Sequence, residues 1–203
     1  MLTRFGYIKL NSLVIGRVLI ILAALGWGDT SIHWVYLILL QLNILEAVLL
    51  DGYKKNYLNA CSGLLVLISS FYLMLGWTGS YITIDNKSYI FWILAYTVWN
   101  ANFVSLQLSG GYYLHHFLIL LSPIAACLVL SDFSIWLMLR ETSLLLGIAT
   151  LASVKKRLQG LEQQKIFVDF FEKAQTFIRN PKTQFVLLSV VGICILIQWI
   201  KVN

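Results

Sequence analysis

The sequence predicts an all-α membrane protein, a compact bundle of about seven transmembrane helices with a cytoplasmic amphipathic helix before the last span. Three observations predict it. The 203 residues are 59% hydrophobic and only 12% charged, with a mean hydropathy of +0.80, which is too apolar for a soluble domain of this length. Apolar runs of about 17 to 25 residues, the length that crosses a hydrocarbon core, recur along the whole chain. The basic residues, finally, collect on alternate connections between those runs.

The runs lie roughly at 11–27, 31–50, 59–77, 89–108, 112–130, 133–154 and 184–200. Most connections are short, so consecutive helices are expected to be antiparallel neighbours in a single multi-pass domain covering 1–203. Arg4 and Lys9 before the first run resemble a secretory signal, but Arg17 inside the run argues against one. Trp27, Trp34, Trp77, Tyr81 and Trp199 fall at run ends, where an amphipathic ring suits the headgroup boundary. Pro123 in mid-run is expected to kink the fifth helix and release a carbonyl. Cys61, Cys127 and Cys194 all sit within apolar runs and read as small buried residues.

Residues 155–183 form the one long connection. Leu158, Leu161, Val168, Phe171, Ala174 and Ile178 recur at helical spacings, with Arg157, Glu162, Lys165, Asp169, Glu172 and Lys173 filling much of the rest. That pattern predicts an amphipathic cytoplasmic helix, ended by Asn180 and Pro181. It lies in the headgroup boundary or docks a protein partner.

Orientation follows from the charges. With the N-terminus inside, the cytoplasmic face collects Arg4, Lys9, Lys54, Lys55, Lys155, Lys156, Arg157, Lys165, Lys173, Arg179 and Lys182, against Lys87 and Lys201 outside. The asymmetry predicts an integral protein of a bacterial inner membrane, N-terminus cytoplasmic and C-terminus outside. The net charge of +6 is thus a topology signal and calls for no nucleic acid. Lys155, Lys156 and Arg157 are candidates for binding anionic headgroups.

The functional signal is polarity inside the runs. Arg17, Glu46, Arg140 and Glu141 lie within spans, where an ionised group costs on the order of 3 kcal/mol or more and persists only beside partners or water. Arg140 and Glu141 are adjacent, so they point about 100° apart round a helix and look to different neighbours. Asn43 and Glu46 share a face of the second span, offering a polar patch to Arg17 or Arg140. On the fourth span Tyr96 and Asn100 share an interior face, while Asn102 falls on a face of small residues suited to close helix packing. The intramembrane polar site is therefore expected to comprise Arg17, Asn43, Glu46, Tyr96, Asn100, Arg140 and Glu141. Its plainest alternative is a static network locking helices together.

His115 and His116 begin the fifth span. As neighbours they cannot form the i, i+4 pair that chelates one metal, and no metal site is predicted. No nucleotide loop, nucleophile elbow or cofactor signature is present, and the cofactor is left open.

Three functions are compatible with this pattern. The leading one is a protein that binds, passes or gates a small polar or ionic species, as a channel, carrier or membrane-perturbing effector; a wide pore would require a homo-oligomer. The second is an intramembrane enzyme acting on a lipid or isoprenoid at the cytoplasmic boundary, with His115 or His116 as acid–base group and Glu46 or Asp51 orienting it. The third is a scaffold or regulatory subunit acting through the amphipathic segment.

Overall fold

The computed structural model describes residues 33–78, 81–84, 89–108, 110–162 and 165–202, with 14–16, 18 and 25. The side chains of 33, 78, 81, 110, 152–168, 171 and 202 lie outside the described set. Among the described residues from 33 onward, seven helices and one hairpin follow in order: α1 His33–Tyr53, α2 Tyr57–Ser70, β1 Leu75–Thr78, β2 Tyr81–Ile84, α3 Tyr89–Gln107, α4 Gly110–Leu130, α5 Trp136–Glu162, α6 Lys165–Arg179 and α7 Pro181–Val202.

Three of these helices are long and apolar enough to cross a bilayer: Trp34–Tyr53, Gly111–Leu130 and Pro181–Lys201. The expected count of about seven is therefore corrected. The run 11–27 falls mostly outside the described residues. The run 59–77 is split: α2 is only 14 residues, about 21 Å at 1.5 Å per residue, and the chain then turns into β1. The runs 89–108 and 133–154 do form helices, α3 and α5. Arg140, Glu141, Lys155, Lys156 and Arg157 lower the apolarity of α5, whereas α3 is as apolar as α1.

The hairpin explains where the third run stops. Ser69 and Ser70 turn their hydroxyls onto the carbonyls of Val66 and Leu67, and the backbone tightens through Phe71, Tyr72 and Leu73. Trp77, Thr78, Tyr81, Ile82, Thr83 and Ile84 favour a pleated strand, and β1 pairs antiparallel with β2 in a register from Leu75↔Ile84 to Thr78↔Tyr81. Ile82 and Ile84 are fully buried, and the Ile84 N–H donates to the Ser134 carbonyl at 3.0 Å. The hairpin thus closes one end of the bundle, hereafter the hairpin end.

At the opposite end, the basic end, lie the α1–α2 turn, the α3–α4 turn and the start of α7. Lys55, at φ 64°, forms the left-handed residue of a Schellman turn in which the Asn56 N–H reaches the Asp51 carbonyl at 2.8 Å. Ser131, at φ 53°, ends α4 in the same way. Pro123 cannot supply a donor to Ile119, and the Ser122 hydroxyl takes that carbonyl at 3.1 Å.

The amphipathic segment is also corrected. Residues 155–162 are the last turns of α5, and the separate helix α6 begins at Lys165. Its inner face is tied down by Gln175, whose side chain donates to the Leu108 carbonyl, while Phe170 and Phe177 on the other side are 67% and 68% exposed. The Asn180 side chain caps α7 by accepting from the Lys182 N–H at 2.9 Å, with Pro181 at the first helical position.

In the core, α2 packs against α1, α3 and α7, and α4 pairs with α5. Gly63 makes the first grouping possible. A Cβ there would lie 2.6 Å from both Trp99 Nε1 and Val48 Cγ2, and the buried indole has little room to yield. Gly63→Ala is expected to destabilise the fold by about 1–3 kcal/mol, whereas Gly192→Ala, which meets nothing within 4 Å, is expected to be silent. Thermal unfolding in detergent compares the two.

Candidate functional site

Four helices surround a cavity of about 400 Å³. From α1 come Asn43 and Glu46, and from the turn that follows it Lys54; from α3 Asn100 and Gln107; from α4 His116; from α5 Arg140. Ala47, Leu50, Trp99, Phe103, Ile148 and Leu151 supply apolar walls. A mostly apolar chamber with a few converging polar groups is the usual form of a small-molecule site.

Arg140 is only 3% exposed. Its Nε donates to the Tyr96 hydroxyl at 3.3 Å and its Nη1 to Ser143 Oγ at 3.4 Å, and the guanidinium carbon lies 5.7 Å from the Tyr96 ring centroid. These contacts are long, so they orient the guanidinium without saturating its five donors. Tyr96 is itself fixed by an aromatic box. Its ring stacks on Trp92 at 5.3 Å and meets Trp136 and Trp99 edge-on at 5.2 and 5.7 Å. Its hydroxyl also accepts from Asn100 Nδ2 at 3.0 Å. The box therefore places one oxygen between two members of the polar site.

Of the residues expected in this site, Asn43, Glu46, Asn100 and Arg140 line the cavity, and Tyr96 supports Arg140 from behind. Glu141 is buried at 7% exposure but does not line the cavity, as its turn away from Arg140 requires. Arg17 lies outside the described residues. Lys155, Lys156 and Arg157 belong to α5 by backbone, and their side chains lie outside the described set.

The expected grouping of His115, His116, Glu46 and Asp51 does not assemble. His116 shares the cavity with Glu46 and makes a 3.0 Å bond to the Tyr112 carbonyl. His115 instead meets the Gly147 carbonyl across the α4–α5 contact at 3.1 Å. Asp51 is 0% exposed and belongs to a second polar cluster.

That second cluster went unforeseen in the sequence. Asp51 accepts from Asn59 at 2.5 Å, Gln107 at 2.7 Å and Asn56 at 3.2 Å. Asn59 in turn accepts from Asn102 at 2.7 Å. Asn102 exchanges two bonds with Gln184, at 2.9 and 2.7 Å, and Gln184 also donates to the Ile178 carbonyl at 2.6 Å. One carboxylate and a relay of carboxamides thus join α1, α2, α3 and α7. Asn102, expected on a packing face, does bring α7 against α3, but through hydrogen bonds. Gln107 belongs to both clusters, bonding Asp51 while it lines the cavity.

Comparison with known proteins adds no assignment: no family model matches the chain, and no curated protein or solved structure shows significant similarity.

Proposed function

We propose that the chain is an integral membrane protein that admits a small polar or ionic solute, by preference an anion or zwitterion, into the cavity from its basic end. The observation that carries this reading is the convergence of Arg140, Asn100, Asn43, Glu46 and His116 on one apolar-walled chamber. A buried guanidinium held by two long hydroxyl contacts retains donors for a guest. Lys54 adds a second positive charge to the lining, and Glu46 contributes a carboxylate to it. The positive-inside pattern makes the basic end cytoplasmic.

Efflux of a panel of small ions from proteoliposomes tests this. Wild type is expected to conduct or exchange at least one anion, and Arg140→Leu to lose it; no flux of any ion in either would overturn the reading. An intramembrane enzyme would draw its acid–base group from His116, which shares the chamber with Glu46. A lipid species altered by wild type and His115→Ala but unaltered by His116→Ala would replace the transport reading with that one.

A further inference from the structure

The α1–α2 turn and the α6–α7 junction enclose a second, more open cavity of about 550 Å³ at the basic end. Three cations face it from two places: Lys54 and Lys55 in the α1–α2 turn, and Arg179 at the end of α6. Among the described residues, no carboxylate lines it. The nearest acid in sequence, Asp51, is turned inward onto Asn56, Asn59 and Gln107. Asp51 still acts on Lys54 through space, so Lys55 and Arg179 are the cations that face the cavity with no described acid on its walls.

The remaining lining divides in two. Leu58, Leu106 and Pro181 form an apolar floor, while Asn56 and Gln184 are polar. Asn56 makes no side-chain cap on α2, and its Nδ2 donates to Asp51. Tyr57 and Leu58, in the first turn of α2, line the same cavity, and the positive end of a helix dipole favours negative charge further. Basic pockets between helices at this depth suit a phosphate whose acyl chains remain in the bilayer.

We infer that this cavity binds a phosphate group, supplied either by an anionic phospholipid headgroup or by free phosphate, through Lys54, Lys55 and Arg179. It is distinct from the headgroup role expected of Lys155, Lys156 and Arg157, and of its three cations only Lys54 is shared with the inner chamber. Lys54 lines both cavities, so the test leaves it unchanged.

The full-length protein in an uncharged detergent is titrated with short-chain phosphatidylglycerol, short-chain phosphatidylcholine or inorganic phosphate, and binding is read from the thermal transition. The exposed residues are changed as Lys55→Gln, Arg179→Gln and both together, with Lys173→Gln as a control in the acidic groove beside Asp169 and Glu172. Phosphatidylglycerol is expected to bind more tightly than phosphatidylcholine, weakened roughly fivefold by each single change and multiplicatively by the pair, with Lys173→Gln unaffected. Inorganic phosphate binding with the same losses, and competing with the lipid, assigns the site to free phosphate as well. Equal binding of the two lipids, or identical binding by wild type and the correctly folded double variant, overturns the inference.

Discussion

Asn102→Leu is expected to destabilise the protein by about 2–5 kcal/mol, more than any other substitution in the polar interior. A single interhelical hydrogen bond inside a bilayer typically contributes under about 1 kcal/mol, because the dissociated helix finds other partners. Asn102 makes three such bonds, one to Asn59 and two with Gln184. Leucine of similar size leaves the acceptor oxygens of both partners buried without a donor, at about 1–3 kcal/mol each. Gln184→Leu alone should also destabilise, since it orphans Asn102 and the Ile178 carbonyl. The double variant is expected to cost less than the sum of the singles by at least about 1 kcal/mol, the signature of a shared interaction. Denaturant or thermal unfolding of the four proteins decides this. A loss below about 0.5 kcal/mol for Asn102→Leu would mean that the relay does not hold α3 to α7.

Arg140→Leu is expected to behave in the opposite way, folding with a loss of only about 1–2 kcal/mol while ion flux falls about 30-fold or more. The stability term is small because its hydrogen bonds are long, at 3.3 and 3.4 Å, and because Tyr96 keeps its bond from Asn100. The functional term is large because truncating a buried charge that contacts a bound ion costs about 2 kcal/mol or more. Tyr96→Phe is expected to fall between, since it removes the hydroxyl that orients the guanidinium while leaving its charge. Circular dichroism melts run beside the flux assay separate the two terms. Unfolding of Arg140→Leu by about 3–5 kcal/mol, with rescue on removing a nearby acid, would make Arg140 a structural residue.

The contrast between these residues shows what the chain discloses in one dimension. Asn43 and Glu46, or Arg140 and its neighbours, can be placed on faces because helical periodicity fixes their directions over a few residues. The convergence of those faces on one chamber is consistent with that reading. Gln107 shares the helical face of Tyr96 and Asn100, but Asn59 and Gln184 carry no local signal: each is a lone carboxamide near a helix end, and their meeting with Asp51, Asn102 and Gln107 is set by tertiary packing. The hairpin did leave a signal, a Gly-Ser pair between Trp77–Thr78 and the alternating Tyr81–Ile84. Hydropathy masked it, because Leu75, Gly76 and Trp77 extend the third apolar run without a break. Cys61 shows the same limit, since it lies in an apolar run yet is exposed.

The central claim is that water and solute reach Arg140 from the basic end. Thiol accessibility tests it most directly, in a variant lacking Cys61, Cys127 and Cys194. Leu151→Cys, Ile148→Cys and Leu144→Cys form a depth series along the cavity wall, and Leu146→Cys projects from the same helix to the exposed surface. With a small charged thiosulfonate in reconstituted vesicles, the three cavity positions are expected to react and Leu146→Cys, bathed in lipid, to stay unmodified. Reaction at Leu151→Cys and Ile148→Cys should slow in Arg140→Leu as the chamber loses its charge. A Leu144→Cys thiol as inert as Leu146→Cys would show that the chamber is dry and contradict the account.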